Sequence, residues 1–457
     1  MRTSGPKRLD DAEIGTTRAG ARRKVRGNDQ DRAIRTTFCW KLAAVGVVGL
    51  AVRLTYLFTA APNHLPFTDP LWYHLQANLI AEGRGFIDPL AFTFRGQVLA
   101  SASHPPLFAL VLAGSSVIGG TSLFAHQLVG SVVGVGGVLL TGMAGREVAG
   151  ERVGLIAAGL TALYPRFWLN DVGVMSEGLF ALTIALVVLA AYRLARRRGS
   201  ADAAFLGVAI GLSSLTRAEA LLLLPLLALP LAVRARPLTG GRRLVLLAVA
   251  GLATVLVLTP WTVRNLATFA RPVVVSNGDG TLLGANCAPA YHGAGTGLWS
   301  IDCYGNATPG DESERAAEWR RQGVRYATDH LSEVPRVLLV RVARVWDLYA
   351  PLQNARLGTD DGRPEWTNRL GLAVYAALVP FACAGLVLLR RRNVLLLPLV
   401  IQPVLVTITA ALIWGAIRFR APAEVAMVIL AAVALDRLAG RRTVWPRWGG
   451  RSKVAPG

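Results

Sequence analysis

The stretch Phe67-Thr68-Asp69-Pro70-Leu71-Trp72-Tyr73-His74, continued by Leu75 to Gly85, decides how the rest of this chain is read. Asp before Pro marks a helix start: the carboxylate caps orphan amides, and Pro takes the first helical position, where its missing N–H costs nothing. Leu71, Trp72, Leu75, Leu79 and Ile80 then share one helical face, with His74 and Asn78 opposite, and Gly83 and Gly85 close the helix. The pattern predicts an amphipathic helix lying on a membrane surface with an acid at its start.

Composition supplies the membrane. Of 457 residues, 53% are hydrophobic and 17% charged, and the mean hydropathy is positive. A soluble domain could not hide that much apolar surface. The formal charge of +21 suggests nucleic acid at first sight. The basic residues fall, however, in short clusters between apolar runs rather than on one face, so topology explains them and no nucleic-acid partner is expected.

Runs of roughly 17–25 apolar residues are long enough to cross a bilayer as helices. The candidates are 38–60, 123–144, 152–169, 175–194, 203–216, 218–234, 243–263, 368–389, 394–414 and 420–438. A weaker run, 104–120, opens on His104-Pro105-Pro106. Lys and Arg near span ends stay cytoplasmic, and counting that run as a span would put Arg196 to Arg198 outside. It is therefore assigned to the first outer loop as a juxtamembrane or half-inserted helix. The expected fold is an all-α polytopic membrane protein of about ten transmembrane helices with two large extracytoplasmic loops. Its parts are a disordered basic cytoplasmic tail (1–37), a transmembrane module (38–263) holding the first outer loop (61–122), an outer segment (264–367), the last spans (368–438) and a basic cytoplasmic tail (439–457).

The outer segment carries twelve acids and eleven Arg, a balance unlike the basic inner loops. Cys287 and Cys303 flank a Gly-, Ala- and aromatic-rich stretch there, and an oxidising outer face favours a disulfide between them. Cys39 and Cys383 fall at or within spans and read as packing residues.

Polar groups gather at the outer ends of the spans: Asp69, Tyr73, His74 and His104; Asn170, Asp171 and Glu177; Arg217 and Glu219; Arg418 and Arg420. A carboxylate beside arginines at the level of the lipid headgroups suits group transfer from a lipid phosphate, the acid taking a proton while the cations hold the leaving group. Each residue also has a plainer reading. Asp69 can be a helix cap, Asp171 and Glu177 loop anchors, Arg217 and Glu219 a surface pair, and Arg418 and Arg420 headgroup anchors. No His, Cys and Asp set has zinc spacing.

The ordered set Thr68-Asp69-Pro70-Leu71-Trp72-Tyr73-His74, Ala81-Glu82-Gly83-Arg84-Gly85-Phe86, His104-Pro105-Pro106-Leu107, Ser176-Glu177, Leu215-Thr216-Arg217-Ala218-Glu219 and Arg418-Phe419-Arg420-Ala421-Pro422 resembles the GT-C glycosyltransferases. Within them it resembles the family 39-like branch of protein O-mannosyltransferases and lipid A aminoarabinose transferases, and the Cys287 to Cys303 segment looks like actinobacterial versions. The resemblance implies a GT-C bundle in the cell membrane and an inverting transfer on its outer face. The donor it implies is a polyprenyl-phosphate-linked sugar and the acceptor a glycan, lipid or protein. It places the catalytic base on Asp69 and a supporting acid on Asp171, which in some members helps a divalent cation hold the phosphate. Tyr73, His74, His104, Arg217, Arg418 and Arg420 are the expected donor-binding residues. Many relatives carry Asp-Glu where this chain has Asp69-Pro70; Asp88 is the nearest substitute for the missing acid. The competing readings are a transporter or lipid flippase, which would show inverted repeats and charged mid-membrane groups, and a non-catalytic envelope scaffold.

Overall fold

A computed structural model describes residues 36–235, 238–278, 280–305 and 308–440. The expected disordered tails at 1–37 and 439–457 lie almost wholly outside the described residues. The chain divides into a first unit ending at Ala44 and a second from Val45 onward, which holds everything discussed below except the start of the first helix.

The described residues are almost entirely helical; a single antiparallel bridge joins Ile87 to Ala100. Helix α1 is Thr36–Thr59. The first loop folds into α2 (Asp69–Ala81), α3 (Pro89–Arg95) and α4 (Leu107–Val117). Then come α5 (Leu123–Ala149), α6 (Glu151–Leu163), α7 (Pro165–Val172), α8 (Ser176–Arg197), α9 (Ser200–Thr216), α10 (Leu229–Val233) and α11 (Gly240–Thr268). The outer segment forms α12 (Thr281–Ala285), α13 (Ala288–Tyr291), α14 (Glu312–Asp329), α15 (Val334–Val345) and α16 (Pro351–Leu357), and α17 (Glu365–Arg391), α18 (Leu397–Leu412) and α19 (Ala421–Leu438) complete the bundle. Helices α1, α5, α8, α11 and α17 are long and apolar enough to cross a membrane, and shorter apolar helices stand among them. The chain is a multi-pass membrane protein.

Two expected spans are not single straight helices. The run 152–169 breaks at Tyr164, which is extended (φ −68°, ψ 121°) because Pro165 follows it. The short helix α7 then turns back into the bundle, with all eight residues buried. The run 218–234 is a composite of a 3-10 turn, a π turn and α10, interrupted at Pro225 and Pro230, which cannot donate a backbone hydrogen bond. Helix α4, of eleven residues, is about 16 Å long at 1.5 Å per residue and too short to cross. It packs on α2, where Trp72, Tyr73, Phe108 and Leu112 form a common core.

Helix α2 differs from the expected surface helix. Its buried set is Pro70, Trp72, Tyr73, Gln76, Ala77 and Leu79, and Gln76 donates to the Gly85 carbonyl at 2.9 Å. The covering core and that internal partner rotate the buried stripe away from Leu71 and Leu75. Thr68, not Asp69, is the N-cap, and no side chain caps the helix.

Cys287 and Cys303 are bridged, 16 positions apart in the sequence. A loop of that size contributes about 3 kcal/mol on a chain-entropy estimate. Cys287→Ser is therefore expected to lower the thermal midpoint and to make it insensitive to reductant, whereas the wild type drops when reduced. Identical melting of both proteins with and without reductant would contradict a stabilising bridge.

Candidate active site

Five expected residues converge at one end of the bundle. Asp69 opens α2, and its carboxylate meets Arg418 from the 3-10 turn Ile417–Arg420: Arg418 Nη1 donates to Asp69 Oδ2 at 2.6 Å. The other oxygen, Oδ1, lies 3.5 Å from His104 Nε2. His104 is itself oriented. Its Nδ1 is 3.0 Å from the Ser103 hydroxyl, and its ring lies tilted against that of Trp72 at 4.3 Å, with Tyr73 edge-on at 5.2 Å.

Around this pair stands a second layer of charge. Arg418 Nε faces Glu177 Oε1 at 3.7 Å. Arg217, at the end of α9, donates to Glu177 at 2.8 Å and to Glu219 at 2.7 Å. The Phe419 ring underlies both cations, 5.0 Å from Arg217 and 5.9 Å from Arg418. Asp361 from the outer segment also feels Arg418 and Asp69, and pairs with Arg363 at 3.8 Å.

These contacts set the protonation states. Burial pushes the Asp69 carboxyl up, but the Arg418 guanidinium and His104 outweigh it and hold Asp69 well below the usual carboxylate range. The Asp69 side chain is still 30% exposed, so it is reachable from solvent. For Asp361 burial wins, and its carboxyl is raised despite Arg363 and Arg418. Burial and the negative charge of Asp69 push the Tyr73 phenol up, which keeps it a neutral hydrogen-bond donor.

Three expected site residues are elsewhere. Asp171 pairs with Arg53 inside the bundle, Nη2 to Oδ2 at 2.6 Å, and the two side chains are 3% and 0% exposed. The pair fits because glycine faces it on two sides: a Cβ at Gly134 or Gly178 would collide with the Asp171 carboxylate. Arg420 is buried between Asp347 and Glu424, at 2.8 and 2.9 Å, and lies 3.5 Å over the Tyr375 ring. His74 points to the other side of α2, Nδ1 to Nδ1 of His126 at 2.9 Å. Asp88, the substitute acid, caps α3 by accepting from the amides of Leu90 and Ala91.

Among the described residues no three His, Cys, Asp or Glu side chains are grouped to hold a metal. The Asp69 oxygens are turned to a guanidinium and an imidazole instead. What the site offers is paired charge: two arginines, each held by carboxylates, at the edge of a lipid-spanning bundle. An entering anion can exchange for a carboxylate on a guanidinium without leaving buried charge unpaired.

Residues 103–262 match the model of the dolichyl-phosphate-mannose-protein mannosyltransferase family. Among curated proteins none matches the sequence significantly. The structure is similar to the archaeal oligosaccharyltransferase AglB from Archaeoglobus fulgidus, solved in complex with an inhibitory peptide and a dolichol-phosphate (TM-score 0.53, 18% identity, 88% of this chain and 50% of that one). It is similar also to the apo form of the Archaeoglobus fulgidus oligosaccharyltransferase (TM-score 0.52, 16% identity, again 88% and 50%). A looser likeness, too weak to argue from, is to ArnT from Cupriavidus metallidurans bound to undecaprenyl phosphate (TM-score 0.38, 16% identity, 86% of this chain and 78% of that one). The chain spans about half the length of the AglB structures it matches. Over most of its length its fold is that of these oligosaccharyltransferase structures.

Proposed function

We propose that this chain is an integral membrane glycosyltransferase that moves a sugar from a polyprenyl-phosphate donor to an acceptor hydroxyl, with Asp69 as general base and inversion at the anomeric carbon. The observation that carries the reading is the Asp69–Arg418 contact, 2.6 Å, set beside Glu177 and Arg217 where α8, α9 and α19 meet. The family match over 103–262 and the dolichol-phosphate held by AglB support a lipid phosphate as the donor's carrier.

The helix directions support one sidedness. Helix α8 runs from Ser176 at the site to Arg196 and Arg197, α17 runs to Arg390 and Arg391, and α19 runs from beside Arg418 to Arg437. The arginine-rich ends are thus opposite the site, by about 33 Å along the 22 residues of α8. Basic ends stay cytoplasmic, which supports an extracytoplasmic site in the cell membrane. The 264–367 segment would then cover the site and choose the acceptor, while the polyprenyl tail lies along the apolar spans.

In the resting site Arg418 makes Asp69 a weak base. The donor's phosphate is anionic and gains charge as it leaves, so it draws Arg418 away from Asp69 most strongly in the transition state. The freed carboxylate, still beside His104, accepts the proton of the acceptor hydroxyl. The acceptor oxygen attacks the anomeric carbon on the face opposite the phosphate. The bond from that carbon to the phosphate oxygen breaks, and its electron pair leaves with the lipid phosphate. Arg217, held by Glu177 and Glu219, keeps Glu177 from competing for Arg418.

Arg418→Gln separates these roles. The free-enzyme acid limb in kcat/KM belongs to a depressed carboxyl, so in the wild type activity persists below the ordinary carboxylate value of about 4. The stabilising part of the ion pair likewise exists above the unfolded pKa and is lost as the pH falls through the depressed folded value. In the variant the burial and His104 remain while the guanidinium is gone, so the acid limb moves up, and kcat falls about 10²–10³-fold. A pH–rate profile checks this; an unmoved acid limb would detach Arg418 from Asp69. The reading as a whole is tested by incubating purified protein in lipid with a panel of polyprenyl-phosphate sugars and measuring released polyprenyl phosphate. No release from any donor, with or without candidate acceptors, would count against it.

A further inference from the structure

A cavity of about 480 Å³ lies between the outer segment and the turn after α9, lined by Ala218, Leu221, Arg271, Asn277, Ser313 and Arg320 among others. Its size is that of a small-molecule site. It abuts the catalytic cluster by two routes. Ala218 stands between Arg217 and Glu219. On the opposite wall the Ser276 hydroxyl donates to the Ser103 carbonyl at 2.7 Å, and the Ser103 side chain holds His104, which faces Asp69.

The charge in the cavity is one-sided. Arg271 and Arg320 are both exposed, and neither pairs with a carboxylate in any contact found among the described residues; Arg320 Nη2 reaches only the Asn277 carbonyl, at 3.4 Å. Two acids beside the lining, Asp311 and Glu312, bond neutral groups. Asp311 accepts from the Ala270 amide at 2.7 Å and the Ser313 hydroxyl at 2.7 Å, and buried Glu312 accepts from the Ala102 amide and the Asn277 side chain. Two guanidiniums without a direct carboxylate contact among the described residues, over hydroxyl, amide and backbone groups, suit an anion borne on a polyhydroxylated body.

We propose that this cavity is the acceptor subsite and that it takes a saccharide bearing an anionic substituent, phosphate or carboxylate. The inference rests on the transferase reading for the word acceptor, and on the cavity alone for the ligand class. Arg271 and Arg320 hold the anion and leave a neighbouring hydroxyl free to face Asp69 past Ser103 and Ala218.

The test uses full-length protein in nanodiscs, titrated with glucose 6-phosphate, glucuronate and glucose, with binding read by saturation-transfer NMR. At least one anionic sugar is expected to bind ten-fold or more tightly than glucose, and which one names the substituent. The double variant Arg271→Gln/Arg320→Gln should lose that preference and keep the weak glucose binding, each single variant losing part of it. Asp69→Asn should bind the anionic sugar as the wild type does. Equal binding of all three sugars, or an undiminished preference in the double variant, overturns the inference. Arginine-dependent binding in a protein that transfers from no donor would instead overturn the transferase reading and, with it, the acceptor role.

Discussion

Asp69→Asn is expected to lower the rate of sugar transfer by about 10²–10⁴-fold, the usual worth of a positioned general base, while the protein still inserts and still binds donor. Asn keeps the shape of the side chain and can accept from Arg418 through its amide oxygen, but it cannot take a proton. Asn still accepts from Arg418, and Glu177 stays 3.7 Å from the same guanidinium, so the part-buried cation is not left without a partner and the thermal midpoint should move less than for a fully buried pair. Retained turnover in a lipid-reconstituted assay would remove Asp69 from the mechanism. Donor-dependent quenching or photolabelling of the same variant separates failed chemistry from failed binding.

Breaking the Arg53–Asp171 pair should have the largest effect on stability. Both side chains are buried, and removing one member of such a pair typically costs about 3–5 kcal/mol, because the survivor is left charged and unpaired. Asp171→Asn keeps the volume that Gly134 and Gly178 leave for it, so the loss is electrostatic rather than steric. The double variant Arg53→Met/Asp171→Asn removes both charges and is expected to recover most of the loss. Thermal inactivation midpoints of Asp171→Asn, Arg53→Met and the double variant read the cycle, and the KM for donor in Asp171→Asn should stay at the wild-type value. A donor KM raised more than ten-fold in Asp171→Asn, with no loss of stability, would instead return Asp171 to the donor site.

The sequence revealed the centre of the site better than its edges. Asp69, Tyr73, His104, Arg217 and Arg418 were legible because each follows or precedes an apolar run at the same end of the bundle. Arg420 was misplaced by a local turn. The 3-10 turn Ile417–Arg420 has three residues per turn, so Arg418 and Arg420, two apart, face different sides, one to Asp69 and the other to Asp347 and Glu424. His74, one position after Tyr73, is rotated by about 100° on the same helix and meets His126 instead.

Asp171 shows a deeper limit. An acid at a span end looks like a site residue, and nothing local says that the Pro165 break folds α7 inward onto Arg53, 118 positions away. Three carboxylates beside the cations, Glu177, Glu219 and Asp361, were not among the expected site residues. Glu177 was read only as an outer polar group, although its place beside Ser176 in the ordered motifs was the available signal. Asp361 is one of twelve acids in the outer segment, and no pattern in the sequence distinguishes it. The span pattern was legible because burial in lipid demands long apolar runs. Where Pro165, Pro225 and Pro230 interrupt those runs, composition alone could not show how the helices bend.

The most direct test of the central claim is a single turnover with an isotopically labelled polyprenyl-phosphate sugar, comparing wild type with Asp69→Asn in the same bilayer. The expected result is a product of inverted anomeric configuration together with stoichiometric free lipid phosphate from the wild type, and donor that remains bound but intact on the variant. A product of retained configuration, or release from the variant at the wild-type rate, would contradict it.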